Sequence, residues 1–131
     1  MALPNGSGGY QVGAGNLNEI IMGTQVAPTA KTAAATLTPA ELATEIITYT
    51  GAAVNLTLPL GTDIENAFSS MKVNSSFDFT IINIGGTNAA TVTANTGCTI
   101  VGVAAVSANT SATWRVRKTA DNTFVFYRIA G

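Results

Sequence analysis

Few residues of this chain are equipped for chemistry. Its 131 residues include no histidine, which removes the commonest general base and the commonest metal ligand together. A single cysteine, Cys98, excludes an intrachain disulfide and a zinc site built on several thiolates. With no imidazole to activate it, Cys98 reads as a buried core thiol. The acids are Glu19, Glu41, Glu45, Asp63, Glu65, Asp78 and Asp121. Asp63 and Glu65 are close neighbours, but a helix start explains them better than a pair of carboxylates meeting in a glycosidase cleft. The glycine-rich pieces at 6–9 and 13–15 do not sit between a strand and a helix, so they are weak phosphate-binding fingerprints. Arg115 and Arg117 share one strand face, with Lys118 adjacent, and the plain expectation is a solvated face or pairing with Asp78. Trp114 is expected in the core. The residues thus predict no catalytic group, no metal site, no cofactor and no enzyme.

The elements that would position these groups are mostly strands. Glu45–Tyr49 reads as a strand, Thr50–Ala53 as a turn, and Val54–Leu58 alternates apolar and polar until Pro59 stops it. These two should form a hairpin or a tight corner. One helix should follow, capped by Thr62 with Glu65 completing a capping box. Its apolar face would be Ile64, Ala67, Phe68 and Met71, spaced i, i+3, i+4 and i+7. Strands are then expected around 77–82, 90–93, 98–103, 112–117 and 123–129, separated by Gly- and Asn-rich turns. About seven short strands with short turns predict an all-β fold, an antiparallel β-sandwich of jelly-roll type, with one short helix. The final strand, Thr123–Ile129, is apolar on both faces, so it should be central or meet another subunit.

Residues 1–43 read differently from 44–131. Asn5–Gly9 is turn-rich, and Tyr10, Val12, Leu17, Ile20, Ile21 and Met22 keep no clean period. Pro28 and Pro39 interrupt the next segment, leaving at most one helical turn near Pro39–Thr44. The expectation is an extended N-terminal arm over 1–43 and a β-sandwich domain over 44–131. Tyr10, Leu17, Ile20 and Ile21 would be the arm's contact residues, because their apolar side chains lack a core of their own.

Composition narrows the partners. Ala, Thr, Gly and Asn make up about half of the chain, and only 10% of residues are charged. From Phe79 to Trp114 no charge occurs at all. With six Lys and Arg and a net charge of -1, the chain lacks the electrostatic footprint of a nucleic-acid binder. No run approaches the roughly 20 apolar residues of a membrane span, and the start has no basic and apolar leader pattern. A free monomer generally carries more charge than this, whereas a member of a large assembly can do without it.

The opening stretch Met1–Glu19, MALPNGSGGYQVGAGNLNE, resembles the N-terminus of the head decoration, or cement, proteins of tailed bacteriophages. Residues 97–129, with Thr110–Lys118 and Phe124–Ile129 as the recognisable piece, are similar to a sandwich module of phage virion proteins. This resemblance implies a structural protein on the outer surface of the virion capsid. It would bind the major capsid protein, associate with itself as a homotrimer, and stabilise the shell by clamping neighbouring capsomers. The rival reading is a trimeric tail-fibre or receptor-binding module, since related sandwiches occur there too. A bacterial adhesin or carbohydrate-binding module fits less well, lacking a secretory leader.

Overall fold

The computed structural model describes residues 22–131, and ten strands and two short helices form among them. In chain order they are β1 (Thr29–Lys31), β2 (Ala35–Thr36), α1 (Pro39–Leu42), β3 (Ile46–Tyr49), β4 (Val54–Thr57), α2 (Gly61–Ala67), β5 (Ser76–Asn83), β6 (Ala90–Thr93), β7 (Cys98–Val101), β8 (Ala105–Val106), β9 (Ser111–Ala120) and β10 (Thr123–Ala130). Every expected strand region holds a strand, and the all-β class stands. The pairing differs from expectation. Two mixed sheets form, a six-stranded one in the order β1-β3-β5-β9-β10-β7 and a four-stranded one in the order β2-β4-β6-β8.

The reason lies in how the chain winds. From β1 to β8 successive strands alternate between the two sheets. Up to β6, strands two apart in sequence therefore pair in parallel, as in Thr29↔Ile47, Ile47↔Ile81, Leu56↔Val92 and Ala35↔Leu56. The turn at 50–53 is thus a corner between sheets and not a hairpin, and the Tyr49 hydroxyl ties it by donating to the Ala52 carbonyl at 2.6 Å. Antiparallel pairing enters only with β8 against β6 and with the β9–β10 hairpin, which fills the space between β5 and β7. An antiparallel jelly roll is therefore not the pairing this chain adopts.

The boundary expected near residue 44 also moves. β1 and β2 are edge strands of the two sheets, and Leu37 and Leu42 are fully buried in the common core. The sheeted unit therefore begins by Thr29. The expected contact residues of the arm, Tyr10, Leu17, Ile20 and Ile21, lie outside the described residues.

Alternation fixes the core. Ile47 and Tyr49 on β3, Phe79 and Ile81 on β5, Ala112, Trp114 and Val116 on β9, and Phe124 and Phe126 on β10 all point inward. They meet Leu56, Ala90, Val92 and Val106 of the smaller sheet in one cluster. Trp114 is buried as expected, with Phe79 stacked at 5.7 Å between ring centroids and Phe126 edge-on to Phe79 at 6.0 Å. Asn83 is the polar bridge of this core. Its amide donates to the carbonyls of Asn88 (2.8 Å) and Val106 (3.0 Å) and accepts from Gly85 N–H (3.1 Å), so both ends of the amide are paired. β10 lies between β9 and β7, which accounts for its apolar character: Phe124 and Phe126 are core, Val125 and Tyr127 half-buried on the outer face.

The helices begin differently from expectation. The capping box belongs to α1, where Thr38 Oγ1 accepts from Glu41 N–H (3.2 Å) and Glu41 Oε1 accepts from Thr38 N–H (2.9 Å). α2 starts one residue before Thr62, with Leu60 at its N-cap and no side-chain cap. Gly61 sets that start. Its N–H donates to the Thr96 carbonyl (2.8 Å), and a Cβ at this position would lie 2.1 Å from the Asn122 carbonyl oxygen. Released from capping, Glu65 reaches across to β9 and the β9–β10 turn.

Candidate functional site

The six-stranded sheet carries its charges in a short cross-strand array. Asp78 on β5 faces Arg115 on β9, which faces Tyr127 on β10. The guanidinium of Arg115 grips Asp78 in a fork, at 2.8 and 3.0 Å. Hydrogen bonding from Arg115 outweighs desolvation and holds the Asp78 carboxyl below its ordinary range. Arg117 donates to Tyr127 Oη (2.7 Å) and Asn74 Oδ1 (3.0 Å). The sequence expectation of pairing with Asp78 thus holds for Arg115. Lys118 goes to the other face. It is almost fully buried, and its ammonium donates to Glu65 Oε2 (2.7 Å) and the Met71 carbonyl (3.0 Å).

Cys98 is buried, and its thiol donates to the Pro59 carbonyl at 3.2 Å. Burial pushes its pKa up to about 11, so at neutral pH it stays a thiol. Among the described residues no three His, Cys, Asp or Glu gather in a metal-binding group, and no helix is long and apolar enough to cross a membrane.

Three surface features remain. The first is a cleft of about 300 Å³ framed by the end of α1, residues 68–71 just after α2, and the start of β5. Leu42, Phe68, Met71 and Phe77 make its apolar wall, and Phe68 meets Phe77 edge-on at 5.3 Å between centroids. Glu45 and Asp78 also line it, and both line an adjoining, more open groove that reaches Arg115. Glu45 comes directly after the turn of α1, with its N–H donating to the Leu42 carbonyl (3.0 Å) and its own carbonyl accepting from Thr80 N–H (2.8 Å). Its φ is +69°, a left-handed conformation that favours Gly or Asn. Nothing in the local sequence announces this, and the residue pattern alone does not single Glu45 out.

The second feature is apolar. Val101, Val103 and Ile129 are 48%, 66% and 46% exposed at the margin formed by β7 and the end of β10. Arg128 anchors that margin from beneath: its guanidinium donates to the carbonyls of Val103 (2.9 Å) and Ala105 (2.6 Å) and lies 5.6 Å from the Trp114 ring centroid. The third is the outer face of the smaller sheet. Thr36, Thr57 and Thr93 align across β2, β4 and β6, and Asn55 aligns with Thr91 and Ala105. These outward positions carry no charge.

Compared with known proteins, the chain matches no family model, no curated protein and no solved structure. The features that bear on function are therefore those of its own surface, and among the described residues they include a cleft lined by carboxylates, an apolar margin and a neutral sheet face.

Proposed function

We propose that this chain is a structural virion protein of a tailed bacteriophage. In this reading it binds the outside of the capsid as a homotrimer and stabilises the shell by clamping neighbouring major capsid proteins. The observation that carries the reading is the character of the surface. An exposed apolar margin at Val101, Val103 and Ile129 accompanies an outer sheet face built from Thr, Asn and Ala. Such a surface suits broad protein contact, where apolar area and neutral hydrogen-bonding groups replace charge. The resemblance of residues 1–19 to the start of cement proteins, and of residues 97–129 to a sandwich module of phage virion proteins, supports the same reading. The two sheets serve as the sandwich module, and the segment before β1 serves as the arm, with Tyr10, Leu17, Ile20 and Ile21 as its anchors. A trimer engages the shell at several points, so each contact can be weak while the whole is tight.

Immunogold labelling of intact particles tests the location. Label spread over the heads is the expected result, and label confined to the tail tip would shift the assignment to the receptor-binding reading. Removing residues 2–22 should abolish binding to purified shells while leaving the circular dichroism of the β-domain intact. Undiminished binding by the shortened protein would remove the arm from the mechanism.

A further inference from the structure

We infer that the cleft between the end of α1, the segment just after α2 and the start of β5 receives an arginine side chain from a partner polypeptide. Glu45 would meet the guanidinium, while Phe68, Met71 and Phe77 cover its aliphatic stem. Placing that arginine on a shell protein rests on the function proposed above; the chemistry of the cleft does not.

The first support is complementarity. An arginine is apolar along its stem and cationic at its planar tip, and it stacks on aromatic faces. The cleft offers both kinds of contact, since Leu42, Phe68, Met71 and Phe77 line it together with the carboxylates Glu45 and Asp78. Of the two carboxylates, Asp78 is already held by both arms of Arg115. The Glu45 carboxylate has no ion pair or hydrogen bond among the described residues. It is the uncommitted negative charge at the mouth.

The second support is the backbone. Glu45 holds φ +69° because its N–H and carbonyl are both fixed, to Leu42 and Thr80. The fold requires a left-handed residue there, and Gly or Asn would meet that requirement with less strain. Glu does so at a cost that no contact of its side chain offsets within the described residues. Strain kept in this way at the mouth of a cleft points to a use for the side chain outside the molecule.

The test uses the full chain, labelled with ¹⁵N and titrated with N-acetyl-arginine methylamide against N-acetyl-leucine methylamide. The arginine compound should give saturable shifts at Glu45, Phe68, Met71 and Phe77, and the leucine compound weaker ones. Glu45→Asn should weaken arginine binding about 2–5-fold and raise the thermal midpoint by about 2–6 °C. Glu45→Gln, which keeps the length of the side chain, should weaken binding equally without that rise. Shifts that avoid the cleft, or unchanged binding by both variants, would overturn the assignment. A lower midpoint for Glu45→Asn would overturn the strain argument. Purified shells then separate this inference from the function. If wild type binds them and Glu45→Gln binds equally, the arginine of the shell is excluded while the cement reading stands. If wild type does not bind, the cement reading fails and the titration alone decides the cleft.

Discussion

Lys118 gives up hydration of its ammonium for a short contact with Glu65 and a backbone carbonyl, in a region where water barely reaches. Such a pair stabilises little relative to an apolar replacement, yet removing one partner strands the other. Lys118→Met keeps the stem but deletes the donor to Glu65 and Met71. We expect a loss of about 1–3 kcal/mol in urea unfolding; an unchanged midpoint would show that the pair is dispensable. The alternation that marks Ala112, Trp114 and Val116 as inward also places Lys118 inward, two residues further along β9. That phase was legible, but adjacency to Arg115 and Arg117 grouped Lys118 with their solvated charges and gave it no inward role. Acid response arises from the same contacts. Hydrogen bonds from Lys118 and Asn122 N–H hold the Glu65 carboxyl below its ordinary 4.5, and Arg115 lowers Asp78 from 3.8. For Glu41 burial pulls upward, but Lys31 and Thr38 together pull it below 4.5. A carboxyl lowered on folding stabilises the native state above its unfolded value, and that contribution is lost as pH falls through the folded value. Across the range pH 3 to 7, stability should therefore be level above about pH 5 and decline below 4.5. In Lys118→Met the decline should be shallower, as urea midpoints measured from pH 3 to 7 would reveal.

At the level of elements, α2 is held by a junction more than by its own turn. Gly61 and Gly97 both pass close beneath the Asn122 carbonyl, and either Cβ would fall within 2.5 Å of that oxygen. Because the obstacle is backbone, it cannot turn aside as a side chain could. Gly61→Ala should cost about 1–3 kcal/mol or more, with the near-ultraviolet signal of Trp114 a convenient readout of thermal unfolding. The two Thr-x-x-Glu stretches, at Thr38 and Thr62, show how far local pattern reaches. The first closes a capping box; at the second the glycine junction has already set the helix start. Strands of four or more residues were legible from alternation. β1, β2 and β8 were not, because two or three residues carry no period and acquire strand geometry only by lying beside β3, β4 and β6.

Across the whole molecule, sheet order was the least legible property, since the winding between sheets leaves no mark on any single strand. It also decides what the chain can lose. Leu37 and Leu42 are completely buried, and each truncation of such a leucine costs about 2–5 kcal/mol. Removing residues 2–43 deletes both, together with β1 and β2, against a typical total stability of about 5–15 kcal/mol. That deletion should abolish cooperative unfolding, while removal of residues 2–22 should preserve it. Cooperative melting of the shorter protein would mean that the parallel edge strands contribute little. The candidate cleft was hidden for the same reason: Glu45, Phe68 and Phe77 belong to three separate stretches of chain that meet at one opening only in the folded molecule.

The flanking of β10 by β9 and β7 has a mechanical consequence. A pull on the C-terminus along the strand loads two hydrogen-bond ladders in shear, all rungs together. A pull on the N-terminal side instead reaches β1, a three-residue strand that among the described residues is held on one side only, and whose rungs can break in succession. Tension transmitted from a moving anchor should therefore peel the molecule from its first strand and leave its last one seated, so that the chain yields at one end and grips at the other.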